Sequence, residues 1–161
     1  MSACPLLTQS GQATTAKTAR LADCLNLSRG RPVHRGFGAF IPLGIKIGLD
    51  AVDRLHAKPR ELTVLYFDSD QSPCACFADG IAIATYASVG QRTVTIAAEK
   101  APADDAAVIV IRPRQGGPGF KYTIPIGALA KLGAMNKNLD ERGRYDAVMA
   151  TDGLFQVEAT P

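Results

Sequence analysis

The spacing of hydrophobic residues along this 161-residue chain predicts a mixture of helices and strands. In some segments apolar and small residues recur every three to four positions, the period of a helix with one buried face. That spacing predicts helices over Thr14–Leu27, Leu43–Ala57, Ala78–Ala87, Pro125–Met135 and Asp140–Thr151. Runs rich in β-branched and aromatic residues predict strands over Glu61–Phe67, Arg92–Ala98, Ala106–Arg112, Phe120–Ile124 and Leu154–Glu158, the last as an edge strand. Because several strands follow one another directly, the order predicts an α+β fold of one domain, with a mixed or antiparallel sheet covered by helices.

The segment Leu43–Ala57 has the strongest helical pattern and is expected to form the central helix. One stripe of this helix is apolar, and the neighbouring stripe carries small residues that include Gly44 and Gly48. Small residues allow another segment to approach the helix closely. Further along the chain, Gly90 is predicted to cap the carboxyl end of the helix over Ala78–Ala87.

Length and charge narrow the class of protein. A chain of 161 residues can bury a hydrophobic core without disulfides. Residues 1–30 are expected to form an N-terminal tail and helix, and residues 31–161 the α+β domain.

The net charge of +3 comes from scattered lysines and arginines, and aromatic residues are few, so we expect no nucleic-acid binding. No apolar run approaches the roughly 20 residues that cross a bilayer, and no signal-peptide pattern opens the chain, so we expect a cytoplasmic protein without membrane contact.

Candidate chemistry concentrates at Cys74-Ala75-Cys76, which follows a predicted strand and precedes a helix of small residues. The amino end of a helix lowers the pKa of a thiol, which favours metal binding or redox chemistry. A Cys-x-Cys pair seldom closes on itself, and the four cysteines do not resemble a secreted scaffold, so we expect reduced thiols. Asp79 either favours the helix dipole or orients a ligand. Asp68 and Asp70 are either turn formers or a carboxylate pair beside the same site.

The segment from Cys74 to Gly90 resembles a motif of the E-subunit family of formylmethanofuran dehydrogenase, the FmdE/FwdE-like domain. The family motif reads Asp-x-Cys-x-x-Asp-Ala-Ile-Gln-x-x-Thr-Gly-Cys-Thr-x-Gly, and this chain matches it without a gap at Cys76, Asp79, Ile81, Thr85 and Gly90. A second motif, His-Gly-His-x-Cys-Pro-Gly-x-x-x-Gly ahead of a helix, aligns through Gly44 and Gly48. The resemblance extends from His34 to Val157. It implies the family's α+β fold, without the zinc ribbon that some relatives carry.

The resemblance also implies a metal site in the family, and this chain departs from the family at the ligand positions. In the family, zinc or another transition metal would be bound by two groups of side chains. These are the histidines and cysteine of the His-Gly-His-x-Cys motif and the cysteine that aligns with Cys76. The positions of the family's two histidines and its other two cysteines are here Gly38, Phe40, Pro42 and Ala87. We therefore expect that no metal is retained. The alternative is a migrated ligand set made of Cys74, Cys76 and His34.

Three hypotheses for function follow from the resemblance and the residues. A ligand-binding pocket is expected to include Cys76, Asp79, Thr85, Gly36, Gly38 and Phe40. The first hypothesis is a homodimeric protein of one-carbon metabolism that binds a small molecule or is an accessory subunit of a formylmethanofuran-type enzyme complex. The second is a metal- or thiol-dependent enzyme that uses Cys74, Cys76 and His34. The third is a non-catalytic scaffolding relative, in which Phe40 and Leu43 fill the space where ligands would converge.

Overall fold

The computed structural model of the protein describes residues 36–58 and 60–161. The predicted N-terminal tail, the helix over Thr14–Leu27 and the boundary at residue 30 lie outside these ranges. The described elements, in chain order, are α1 Phe40–Arg54, β1 Leu62–Asp68, α2 Cys76–Thr85, β2 Val94–Ile96, β3 Asp105–Pro113, β4 Gly119–Pro125, α3 Gly127–Asn138, α4 Glu141–Ala150 and β5 Gln156–Thr160. None of these described helices has the length and apolar character needed to cross a membrane.

The strands form an open sheet in the order β2-β1-β3-β4-β5. Strands β1 and β2 are parallel, and the other neighbouring pairs are antiparallel. The register places Tyr66 opposite Ile109, Ile109 opposite Tyr122, and Tyr122 opposite Val157, so these side chains cross the sheet on one face. Helices α1 and α2 share the main core with that face through Leu43, Ile47, Phe77 and Ile81. The mixed sheet covered by helices confirms the predicted α+β fold.

Helix α1 begins at Phe40, before the predicted start at Leu43. Pro42 lies in the first turn, where its missing N–H is tolerated because the first four N–H groups of a helix have no intrahelical partner. The helix also ends earlier than predicted, at Arg54. The chain leaves the helix there because His56 adopts a left-handed conformation, with φ of 47°.

Two other predicted boundaries are wrong for local backbone reasons. Tyr86, not Gly90, caps the carboxyl end of α2, with φ of 58°. Strand β2 begins at Val94, later than the predicted Arg92, because Arg92 has φ of 56° and the Thr93 N–H turns back to the Ser88 carbonyl oxygen, 3.0 Å away. It ends at Ile96, before the predicted Ala98. The remaining described elements lie within three residues of their predicted bounds, and β5 is an edge strand as predicted.

Candidate functional site

Helices α1 and α2 approach each other so closely that their contact requires glycine. A Cβ atom added to Gly44 would collide with the carbonyl oxygen of Phe77, and one added to Gly80 would collide with the carbonyl oxygen of Ile41. A Cβ atom on Gly48 would lie 2.7 Å from a side-chain carbon of α2, well inside the normal separation of about 3.5 Å. The expected close approach at small residues is therefore confirmed. It places the two segments that carry the family motifs side by side.

An apolar cluster joins α1, α2 and α4. Its buried members are Phe37, Ile41, Ile45, Cys76, Ile83 and Tyr145. The partly buried residues that pack against it are Phe40, Cys74, Ala84 and Met149. Phe40 also meets the ring of Phe77 edge-on, with 5.1 Å between ring centres, and Leu43 is fully buried in the main core. Apolar side chains therefore occupy the junction between the two motif segments.

Cys74 and Cys76 are joined by a disulfide at the start of α2, with their Cα atoms 5.3 Å apart. The prediction of reduced thiols is wrong for this pair, because the turn through Ala75 brings the two sulfurs together. The Ser72 hydroxyl donates a 2.8 Å hydrogen bond to the Cys74 carbonyl oxygen and holds this turn. Cys76 is only 5% exposed, whereas Cys74 is half-buried. Cys74 is therefore the more accessible residue of the disulfide.

The residues at the family's metal-ligand positions do not fit a metal site. Phe40 packs against an aromatic ring, and three further positions carry no donor side chain: Gly38, Pro42 and Ala87. In the disulfide, Cys74 and Cys76 are not thiolates, which is the form that binds metals. His34, the third member of the alternative ligand set, lies outside the described residues. Within residues 36–58 and 60–161, no group of three or more His, Cys, Asp or Glu side chains could hold a metal ion.

The predicted pocket residues lie in different surroundings. Phe40 and Cys76 meet at the apolar cluster, and Asp79 lies one turn after Cys76 on α2. Thr85 lies at the other end of α2, nine residues after Cys76, which corresponds to about 13.5 Å along the helix axis at the usual rise per residue. Its buried hydroxyl donates to the Ile81 carbonyl oxygen at 2.8 Å and accepts from a backbone N–H at 3.3 Å. Thr85 therefore acts in capping α2 and is not near the cysteines.

The two predicted glycines also differ from each other. Gly38 faces the side chain of Asn136, whose Oδ1 would lie 3.4 Å from a Cβ atom at Gly38. Gly36 is exposed, and a Cβ atom there would meet nothing within 4 Å. Of the pair, only Gly38 contacts a polar side chain of another element.

The start of α1 is held by two residues that the sequence analysis did not single out. The Ala39 N–H donates to Oδ1 of Asn136 at 2.7 Å. The Arg144 guanidinium donates to the carbonyl oxygens of Phe37 and Asn136, at 3.2 and 2.9 Å. Asn136 is 97 residues from Ala39 in the sequence, so no local pattern could have identified this contact. Helices α3 and α4 thus position the first motif segment.

Buried Tyr66 is a second feature that the sequence analysis missed. Its hydroxyl lies 3.5 Å from Oδ1 of Asp68, to which it donates. Burial, followed by the negative charge and hydrogen bond of Asp68 and the charge of Asp79, raises the pKa of Tyr66 above its ordinary value. Asp68 also pairs with Lys100 at 4.0 Å. Alternation along β1 places Tyr66 and Asp68 on one face, which is the signal that could have predicted their proximity.

The chain matches the family described as "FmdE, Molybdenum formylmethanofuran dehydrogenase operon". The match covers residues 33–151, which include both motif segments, the glycine contact between α1 and α2, and strands β1 to β4. No curated protein matches the chain. Because the matched region spans most of the sequence and agrees with the two motifs, the chain belongs to the FmdE family.

Proposed function

We propose that this protein is an accessory subunit that acts beside a formylmethanofuran dehydrogenase in one-carbon metabolism and carries out no metal chemistry at the family's ligand positions. The family description names the operon of that enzyme. The observation that carries the accessory role is the apolar filling of the motif junction, where Phe40 packs on Phe77 and Leu43 is buried. Side chains that fill this space favour a role through protein contacts over catalysis at the family's ligand positions. The proposal therefore joins the accessory subunit of the first hypothesis with the scaffolding relative of the third.

The segment from Tyr86 to Ile96, which follows α2 and includes β2, offers a surface for such contacts. Three of its apolar side chains are exposed: Tyr86 by 38%, Val89 by 73% and Ile96 by 49%. The Ser88 N–H donates to the Thr93 hydroxyl at 2.9 Å, so the turn that carries Val89 is held in place. Exposed apolar residues on an ordered turn are suited to partner binding. The homodimer expected from the sequence is part of the same proposal, because one surface can pair with its own copy.

Co-expression tests the accessory role. The full chain is produced together with the catalytic subunits of a formylmethanofuran dehydrogenase from the same genome, and the mixture is separated by size exclusion. We expect the chain to elute with those subunits and expect Val89→Asp to weaken the association. Ala130→Asp, at an exposed position on α3, is the matched control and should leave it unchanged. Separate elution of the wild-type chain, together with unchanged dehydrogenase activity after gene deletion, would overturn the proposal.

Two measurements distinguish the alternatives. Metal analysis of untagged, reduced protein should find no stoichiometric zinc or other transition metal. A stoichiometric metal that is lost in Cys76→Ala would instead support the metal-dependent enzyme. Calorimetric titration with formylmethanofuran should give no heat of binding to the isolated chain, whereas saturable binding would favour the small-molecule role. Sedimentation equilibrium tests the homodimer directly.

A further inference from the structure

The Cys74–Cys76 disulfide is poorly suited to act as a stabilising cross-link. A disulfide stabilises a fold mainly by restricting the unfolded chain, and the effect grows with the length of the loop that it closes. This disulfide spans a sequence separation of only two. The turn also has its own hydrogen bonds, from the Ser72 N–H to the Ser69 carbonyl oxygen at 3.2 Å and from the Ser72 hydroxyl to the Cys74 carbonyl oxygen at 2.8 Å. Hydrogen bonds therefore support this turn in addition to the sulfur–sulfur bond.

The two cysteines differ in their access to a reactant. Cys76 is 5% exposed and belongs to the apolar cluster with Phe37, Ile41 and Tyr145. Cys74 is half-buried and lies before the first residue of α2. The difference in residue exposure therefore favours attack by an incoming thiol at Cys74. Cys76, the first residue of α2, is then the leaving group, at the end of the helix that favours negative charge.

We propose that Cys74 and Cys76 form a dithiol–disulfide exchange centre whose substrate is a small-molecule dithiol. One thiolate of the dithiol attacks Sγ of Cys74, the Cys74–Cys76 bond breaks, and Cys76 leaves as a thiolate. The second thiolate of the dithiol attacks the substrate sulfur of this mixed disulfide, which closes the substrate's own disulfide and releases Cys74 as a thiolate.

The cysteine pair gains two electrons and the dithiol loses two. The two thiol protons of the dithiol pass through solvent to the cysteine pair. This activity goes beyond the accessory role and does not depend on it.

Thiol counting in the native protein tests the exchange. The full chain carries Cys4→Ser and Cys24→Ser, so that only Cys74 and Cys76 can respond. The folded protein is treated with dithiothreitol, quenched with acid, alkylated and weighed by mass spectrometry. We expect no alkylated cysteine before treatment, two after it, and an unchanged circular dichroism spectrum. Oxidised glutathione should restore the unalkylated form. Free thiols in the air-purified protein, or reduction only in denaturant, would overturn the proposal.

Single variants in the same background test the predicted order of attack. Cys76→Ser leaves Cys74 as the only thiol, and Cys74→Ser leaves Cys76. We expect the thiol of Cys76→Ser to form a mixed disulfide with oxidised glutathione at least about tenfold faster than that of Cys74→Ser, because Cys74 is the more accessible residue. Equal rates, or a faster reaction at Cys76, would contradict the assigned roles. Because thiol counting needs no substitution at Cys74 or Cys76, the proposal stays testable if either variant fails to fold.

Discussion

The hydroxyl of Tyr122 on β4 donates a 2.8 Å hydrogen bond to Oδ2 of Asp50 on α1. The same carboxylate oxygen accepts a 2.5 Å hydrogen bond from Nε of Arg54, one turn further along the helix. The Arg54 guanidinium lies over the ring of Phe120, 5.4 Å from its centre. These contacts fasten the central helix to the sheet at the end of α1 far from the cysteines.

Tyr122→Phe tests this attachment, because it removes the hydroxyl and keeps the buried ring. We expect a loss of about 1.5 kcal/mol in the free energy of unfolding, the usual size for a hydrogen bond to a charged group. Urea denaturation measures the loss, and Asp50→Ala completes a double-mutant cycle. If Tyr122→Phe costs as much in the Asp50→Ala background as in the wild type, the hydrogen bond does not couple the two residues.

Alkaline pH is expected to destabilise the fold through Tyr66 and Tyr122. Burial, the first cause for both residues, raises the pKa of each hydroxyl, and hydrogen bonds to Asp68 and Asp50 raise it further. Above about pH 10 the unfolded chain releases these protons while the folded chain keeps them, so the free energy of unfolding falls as pH rises. Below about pH 10 the two tyrosines make their full contribution to stability.

Unfolding measured between neutral pH and pH 11 should therefore show stability falling with increasing steepness. Tyr66→Phe and Tyr122→Phe should each make the fall shallower, and the double variant more so. An unchanged slope in both single variants would refute the assignment.

Gly44→Ala and Gly80→Ala test the close approach of α1 and α2. Each added Cβ would collide with a backbone carbonyl oxygen of the facing helix, so we expect each to cost about 3 kcal/mol, the upper range for overpacking. Gly133→Ala on α3 is the matched control, because a Cβ there meets nothing within 4 Å. It should raise stability by about 0.5–1 kcal/mol through helix propensity. Similar effects for all three variants would mean that the helices are not in tight contact.

Tyr86 is a non-glycine residue in the left-handed conformation, at the position where the family motif has glycine. Comparing Tyr86→Gly with Tyr86→Ala isolates the backbone effect, because both remove the aromatic side chain. We expect the glycine variant to be more stable by about 1 kcal/mol, the usual cost of this conformation for an L-residue. Thermal denaturation of the two variants measures the difference, and equal stability would show that the cap relaxes without cost.

The sequence by itself determined the fold class, the family and most element positions. Local spacing carries this information: alternation in Leu62–Asp68 and the apolar and small stripes of Phe40–Arg54 reflect burial on one face. The glycines Gly44 and Gly48 likewise predicted a close helix contact, although not which segment makes it. The two motifs indicated the FmdE family, and the match of that family to residues 33–151 agrees with them.

Only the tertiary structure decided what those elements bring together. The contacts of Asn136 with Ala39 and of Tyr122 with Asp50 join residues 97 and 72 positions apart, which no local pattern specifies. The Cys74–Cys76 disulfide depends on the backbone path of one turn, and residue spacing alone argued against it. Helix ends also depended on single left-handed residues such as Tyr86. Periodicity records which face of an element is buried, whereas contacts between elements depend on how the whole chain packs.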